Sequence, residues 1–312
     1  MKRALVTGGT GFIGRHTLPE LVARGFEVHV AGRSRPAADF PPDVTFHECD
    51  LFDAGAASQL TARLAPTHLL HLGWYAKPGL FWTSLENLRW VAASLNLYVA
   101  FAEAGGARAV IAGSCAEYDW SYTELDEITT PLAPQTLYGQ SKDALRALLE
   151  HAELRTSVRM AWGRVFFLYG PHEAPGRLVS DVIQSLIERR EAHCSDGTQQ
   201  RDFMHVVDVG RAFAAVLDSD IIGPVNIASG VCVPVRTVIS TLGSLTQASD
   251  LIRFGAAPHR SEPPRLAASI DILHGQLGFR PVYDLESGLA NTVDWWRIIR
   301  PRGHSNSQDA AT

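Results

Sequence analysis

Tyr138-Gly139-Gln140-Ser141-Lys142 is the stretch of this chain best suited to chemistry. The chain holds only three lysines, Lys2, Lys77 and Lys142, and arginine supplies nearly all its other positive charge. Four residues make about one helical turn, so Tyr138 and Lys142 share a face if the segment is helical. An ammonium beside a phenol favours the phenolate, which makes the tyrosine a usable general acid or base near neutral pH. Arginine, planar and forked, is a poor substitute for lysine in that task. A plain surface Tyr-Lys pair is the competing reading.

A second feature stands at the start of the chain. Residues 2–7 read as a short strand, followed by Gly8-Gly9-Thr10-Gly11-Phe12-Ile13-Gly14 and a helical run over 15–24. Strand, glycine turn and helix form the arrangement that brings a pyrophosphate to a helix N-terminus, with glycines permitting the turn and the close backbone approach. The spacing of Gly8, Gly11 and Gly14 is G-x-x-G-x-x-G.

Elements to position these groups follow along the chain. Strands are expected over 4–7, 27–31, 44–48, 68–72, 109–113 and 157–167, with helices over 12–24, 54–64, 84–104 and 138–152. Such alternation predicts an α/β fold, a Rossmann-type doubly wound parallel sheet covered on both faces. After Tyr169-Gly170-Pro171 the pattern loosens, which predicts a smaller C-terminal substrate-binding lobe. The expected division is a nucleotide-binding domain over 1–167 with a return segment near 203–228, a lobe over 168–202 and 229–300, and a disordered tail over 301–312.

Composition narrows the function classes. The chain has 312 residues, 46% hydrophobic and 20% charged, as in globular proteins with a sizeable core. A net charge of −5 gives no electrostatic footprint for nucleic acid. No apolar run reaches the length of a membrane span, and the N-terminus enters a strand directly. Cys49, Cys115, Cys194 and Cys232 lack metal-ligand spacing. A reduced cytoplasmic protein without structural zinc is expected.

Together these residues resemble the extended short-chain dehydrogenase/reductase superfamily, in its NAD(P)-dependent nucleotide-sugar epimerase/dehydratase/reductase branch, over about residues 3–298. Besides the two motifs above, the resemblance is carried by Ala112-Gly113-Ser114-Cys115-Ala116-Glu117-Tyr118, by Tyr169-Gly170-Pro171, by the segment 196–209 and by Asn226-Ile227-Ala228-Ser229-Gly230. It implies that Tyr138 is the acid/base, that Lys142 lowers its pKa and binds the nicotinamide ribose, and that Ser114 hydrogen-bonds the reacting oxygen. It also implies cofactor contacts from Gly8, Thr10, Gly11, Phe12, Ile13 and Gly14, from Asp50 and Leu51, and from Leu72 and Gly73. Substrate contacts are expected from Trp74, Cys115, His172, Arg201 and Arg260, the two arginines as clamps on a nucleotide diphosphate. The branch usually forms homodimers through the helices expected at 84–104 and 138–152.

Members preferring NAD usually carry an acid at the end of the second strand, to accept bonds from the adenosine ribose. Here Gly32 stands there, followed by Arg33 and Ser34, which suit a 2′-phosphate. NADP(H) is therefore favoured, with NAD(H) the alternative. Dehydratases of the superfamily need an acidic pair directly after the serine, and Cys115 and Ala116 cannot replace it. Epimerase-reductases resembling GDP-fucose synthase place a cysteine two residues after the serine, where Ala116 stands, and a histidine where His172 stands. The expected activity is an NADP(H)-dependent 4-ketoreductase acting on a nucleotide-linked 4-keto-6-deoxysugar, with Tyr138 as general acid. A 4-epimerase with retained NAD is the alternative. A noncatalytic NADP-binding sensor and a reductase of non-sugar ketones complete the set.

Overall fold

Arg3–Thr7 forms the first strand, β1. Its alternation sends Ala4 and Val6 into one core cluster and Leu5 into another on the opposite face, all fully buried. This is how a central strand covered on both sides behaves. The computed structural model describes residues 2–35, 40–258 and 263–299. Its further strands are β2 (Glu27–Gly32), β3 (Val44–Glu48), β4 (His68–His71), β5 (Arg108–Ser114), β6 (Glu124–Leu125), β7 (Arg159–Val165), β8 (Phe167–Tyr169), β9 (Ala192–Cys194), β10 (Gln200–His205), β11 (Gly223–Ile227), β12 (Cys232–Pro234), β13 (Ile252–Phe254) and β14 (Arg265–Ala268). The helices are α1 (Gly14–Ala23), α2 (Ala54–Leu64), α3 (Glu86–Glu103), α4 (Leu137–Glu153), α5 (Leu178–Ile187), α6 (Val206–Leu217), α7 (Val235–Thr246) and α8 (Leu285–Ile299).

Seven strands form one parallel sheet in the order β11-β7-β5-β4-β1-β2-β3. One core cluster includes α1 and α6, and the other α2, α3 and α4, so the Rossmann-type α/β architecture expected from the alternation is present. The chain order reverses between β1 and β4, and the crevice beyond the strand ends at such a point is where ligands bind in open α/β sheets. Helix starts follow local chemistry. Asp53 caps α2 by accepting from the Gly55 and Ala56 N–H groups, and Thr136 caps α4 by accepting from the Gly139 N–H.

The second lobe is built on a smaller sheet of β12, β10, β14 and β6, with β8 also paired to β10. Helices α5, α7 and α8 share a separate core there, around Ile183, Ile239, Leu242 and Leu289. The single strand expected over 157–167 is divided: β7 stays in the main sheet, and β8 joins β10 in the small one. A continuous apolar run does not reveal where its pairing partner changes. The return segment is also redistributed. Gln200–His205 lies in the small sheet, whereas α6 packs on α1 and β11 closes the edge of the main sheet. Residues 301–312, expected as a disordered tail, lie outside the described residues. No described helix is long and apolar enough to cross a membrane.

Candidate active site

The glycine turn packs against the end of β4. Gly8 has φ +67°, and a Cβ there would meet the Gly73 nitrogen and the Leu72 carbonyl carbon at 2.7 Å. A Cβ on Gly14 would stand 2.1 Å from the Gly8 oxygen, so the space admits only hydrogen. The Leu72 N–H donates to the Thr7 carbonyl, and the Gly73 N–H to the Thr7 hydroxyl at 3.2 Å. Gly8, Gly11, Gly14, Leu72 and Gly73 are thus drawn to one rim. Thr10, Phe12 and Ile13 are half-buried in the same turn. Helix α1 starts here without a side-chain cap, at the end of the helix dipole that favours an anion. This cradle fits a dinucleotide pyrophosphate.

Arg33 and Ser34 are exposed directly after β2, whose last residue Gly32 pairs with Glu48 on β3. Asp50 is exposed and accepts from the Phe52 N–H. The Leu51 side chain belongs to the core with Ala57 and Leu60. Beneath the rim, His71 bridges Thr7 at 2.5 Å and Ser94 at 2.8 Å, and burial with the nearby Lys142 charge pushes its pKa down to about 3. A neutral His71 therefore ties β1, β4 and α3 together. Sequence reasoning missed it because its partners lie 64 and 23 residues away.

Three elements bring the reactive groups together. Strand β5 ends at Ser114, which caps a short turn over Cys115–Glu117. Helix α4 starts at Leu137, placing Tyr138 in its first turn and Lys142 one turn further. A Cβ on Gly139 would stand 2.4 Å from the Ala116 carbonyl oxygen, so glycine between these groups lets α4 close on the Ser114 turn. The Ser114 side chain stands close enough to the Tyr138 phenol to pull its pKa down. Lys142, 3% exposed, donates from Nζ to the Ala112 carbonyl at 2.6 Å and stands 3.7 Å from the Trp74 ring centre.

The electrostatics differ from the expectation that Lys142 lowers the Tyr138 pKa. Burial is the largest influence on both groups. It pushes the Tyr138 phenol up, against the downward pull of the Ser114 side chain. It pushes Lys142 down to about 7, opposed by the Glu117 charge. The phenol therefore holds its proton at neutral pH.

Glu117, next to the Ser114 turn, is fully buried. Its carboxylate accepts from the Ser114 N–H at 2.7 Å, from Trp162 Nε1 at 2.9 and 3.1 Å, and from Arg164 Nε at 2.9 Å. Arg164 also donates to Tyr118 Oη, which donates to Asn226. Burial raises the Glu117 carboxyl, while Arg164 and these donors pull it back. Because a guanidinium keeps its proton, we read an ionised pair. A charged residue inside the apolar run Met160–Val165 is the sequence signal for this network, since buried arginine requires a partner.

On the substrate side, Phe81 and Trp82 pack edge-on against Tyr138 at 4.9 and 5.7 Å, and Trp82 meets Trp120 at 6.4 Å. Arg177 was not singled out from sequence. It stands over the Phe81 ring at 5.2 Å and is near enough to Tyr138 to lower its pKa. No local pattern marks a contact between residues so far apart in the chain. Trp74, expected at the substrate, instead lies against Lys142. Cys115 is buried with Tyr118, Leu125 and Phe166, and its thiol is pushed up to about 12 by burial, so packing takes the place of the expected substrate contact. His172, at φ +71°, contacts Arg15 and the His16 and Trp295 rings. Arg201 is buried, donates to the Gln200 and Pro263 carbonyls, and is close enough to Cys115 to act on its thiol. Arg260 lies outside the described residues.

Residues 4–228 match the NAD dependent epimerase/dehydratase family. UDP-glucuronic acid decarboxylase 1 of Xenopus tropicalis is 26% identical over 315 residues, covering 95% of this chain and 72% of that protein. The UDP-glucose 4-epimerase of Thermus thermophilus, solved with NAD, superposes with a TM-score of 0.79 at 27% identity, covering 95% of this chain and 99% of that one. MoeE5, solved with UDP-glucuronic acid and NAD, gives a TM-score of 0.82 at 30% identity, with coverage of 95% and 99%. The resemblance to the nucleotide-sugar branch of the extended short-chain dehydrogenase/reductase superfamily is thereby borne out.

Proposed function

The chain belongs to the NAD dependent epimerase/dehydratase family, and from that premise we propose that it is an NADP(H)-dependent reductase of a nucleotide-linked 4-keto-6-deoxysugar. The observation that carries this reading is the half-buried Tyr138 beside Ser114, its phenol held protonated by loss of hydration, with no acidic residue at 115 or 116. Such a pair is ready to donate to a carbonyl oxygen, and the site lacks the acids that elimination of a hydroxyl requires.

The residues present fit a dinucleotide. Gly8, Thr10, Gly11, Phe12, Ile13 and Gly14 would hold the pyrophosphate, Leu72 and Gly73 would line the same rim, and Asp50 and Leu51 would flank the adenine. Arg33 and Ser34, exposed where an acid would repel a 2′-phosphate, support NADP(H). When bound, the nicotinamide supplies the hydride. Ser114 Oγ and Tyr138 Oη orient the carbonyl oxygen and stabilise its growing negative charge. Tyr138 Oη then releases its proton to that oxygen, and the Lys142 ammonium stabilises the phenolate left behind. Arg177 and Arg201 are the candidate diphosphate clamps. The aromatic wall of Phe81, Trp82 and Trp120 supports a sugar with an apolar end, such as a 6-methyl group. Exposed Leu88, Val99 and Leu148 on the packed pair α3 and α4 support a homodimer through those helices.

A second reading, a 4-epimerase with retained NAD, is favoured by the NAD in the two structures described above. The test is cofactor content of the purified protein together with NADPH oxidation on nucleotide 4-keto-6-deoxysugars. One-for-one consumption of NADPH and keto sugar supports the reductase. Tightly held NAD with an isomerised sugar and no net oxidation overturns it in favour of the epimerase.

A further inference from the structure

We infer that Trp74 is the positioning residue for Lys142: its indole face and the Ala112 carbonyl together fix where the ammonium stands, one helical turn from Tyr138. The inference rests on the reading of Lys142 as the lysine of the proton-transfer site. It goes beyond that reading by assigning the residue that seats it.

A buried ammonium carries three donors and needs compensation for lost hydration. Ala112 accepts one bond at 2.6 Å. The Trp74 ring, 3.7 Å away, offers the negative face of its π system well inside the range of a cation–π contact. The indole is itself held in place. Its Nε1 donates to Asn87 Oδ1 at 2.8 Å, and the fully buried Asn87 donates to the Phe81 and Ser84 carbonyls at 2.7 and 2.8 Å. Trp74 also stacks with Trp90 at 6.1 Å and 29°, and Trp90 packs edge-on against Phe52. Asn87 thus joins the lysine seat to the segment whose Phe81 and Trp82 rings pack on Tyr138. The burial that lowers Lys142 acts in the same place, and the ring face works against it.

The test uses the rarity of lysine. Protein grown on isotope-labelled lysine carries three labelled residues visible by NMR, and Lys142→Met identifies the Lys142 resonance. Its titration is followed in the full-length chain without cofactor, so the reading stands whether or not a keto sugar is turned over. Trp74→Leu is expected to move the Lys142 titration toward acid by about 0.4–1.5 pH units, and Trp74→Phe by less, because a ring remains. Uniform replacement of tryptophan by its fluorinated forms keeps the shape and withdraws ring charge. It is expected to lower the Lys142 titration stepwise with fluorine number, which covers the case in which Trp74→Leu does not fold. In active protein the basic limb of kcat/KM should move with the titration. An unchanged Lys142 titration in Trp74→Leu or across the fluorinated series overturns the inference. Loss of keto-sugar reduction with these shifts intact would instead count against the proposed activity alone.

Discussion

Glu117→Gln tests the network that supports the site from beneath. The carboxylate is fully buried and Arg164 is 2% exposed, so water cannot replace what the substitution removes. The amide keeps one acceptor oxygen, but its NH2 group must face the Trp162 N–H or the Arg164 Nε–H, both donors. Arg164 is left as a buried cation whose other acceptor here is Tyr118 Oη. Removing one partner of such a pair costs about 3–5 kcal/mol. For a chain of this size the urea slope lies at or above the ~3 kcal/mol per M that tops the range for small proteins, so a loss of about 3–5 kcal/mol should lower the midpoint by at most about 1–1.7 M. Tryptophan fluorescence during urea unfolding reads this, since Trp162 belongs to the network. The double variant Glu117→Gln/Arg164→Met should recover much of the loss, because an apolar replacement removes the orphaned cation. A Glu117→Gln midpoint within ~0.3 M of the parent would refute the reasoning. A double variant no more stable than the single one would show that the loss has another source.

Tyr138→Phe should lower turnover by about 10²–10⁴ while cofactor binding, read by fluorescence titration, stays within a few-fold; retained turnover would remove Tyr138 as the acid. Arg33→Glu should weaken NADPH relative to NADH by about 10–100-fold in the ratio of their dissociation constants, the loss of a charge-assisted hydrogen bond; an unchanged ratio would remove Arg33 from the cofactor site. Lys142, lowered from 10.5 to about 7, predicts that kcat/KM declines as pH rises through about 7. Between those two values the unfolded chain binds a proton that the folded chain does not, so this group's contribution raises stability with pH across that window. Parent minus Lys142→Met stability, measured at several pH values, should show that rise, and a flat difference would contradict the depressed lysine.

Local pattern was enough to specify those features of the fold that lie within one element or one turn. Alternating apolar segments specified the parallel sheet, because strand and helix periods are set within one element. The glycine spacing specified the turn between β1 and α1, where Gly8 and Gly14 have no room for a Cβ. The four-residue interval placed Tyr138 and Lys142 on one face, because the helical repeat is fixed. Tertiary structure decided what surrounds them. Burial, which no spacing records, raises the phenol and lowers the lysine, opposite to the effect expected of the pair in isolation. The split of the run ending at Phe167 into two strands depended on which partners stood beside it. Trp74, read as a substrate contact because it follows a strand end, became the seat of Lys142 once α4 crossed over it. Arg177, Glu117 and His71 came to the site through partners distant in the chain. Such contacts are selected by packing and by the need to pair every buried charge, and both are properties of the assembled molecule.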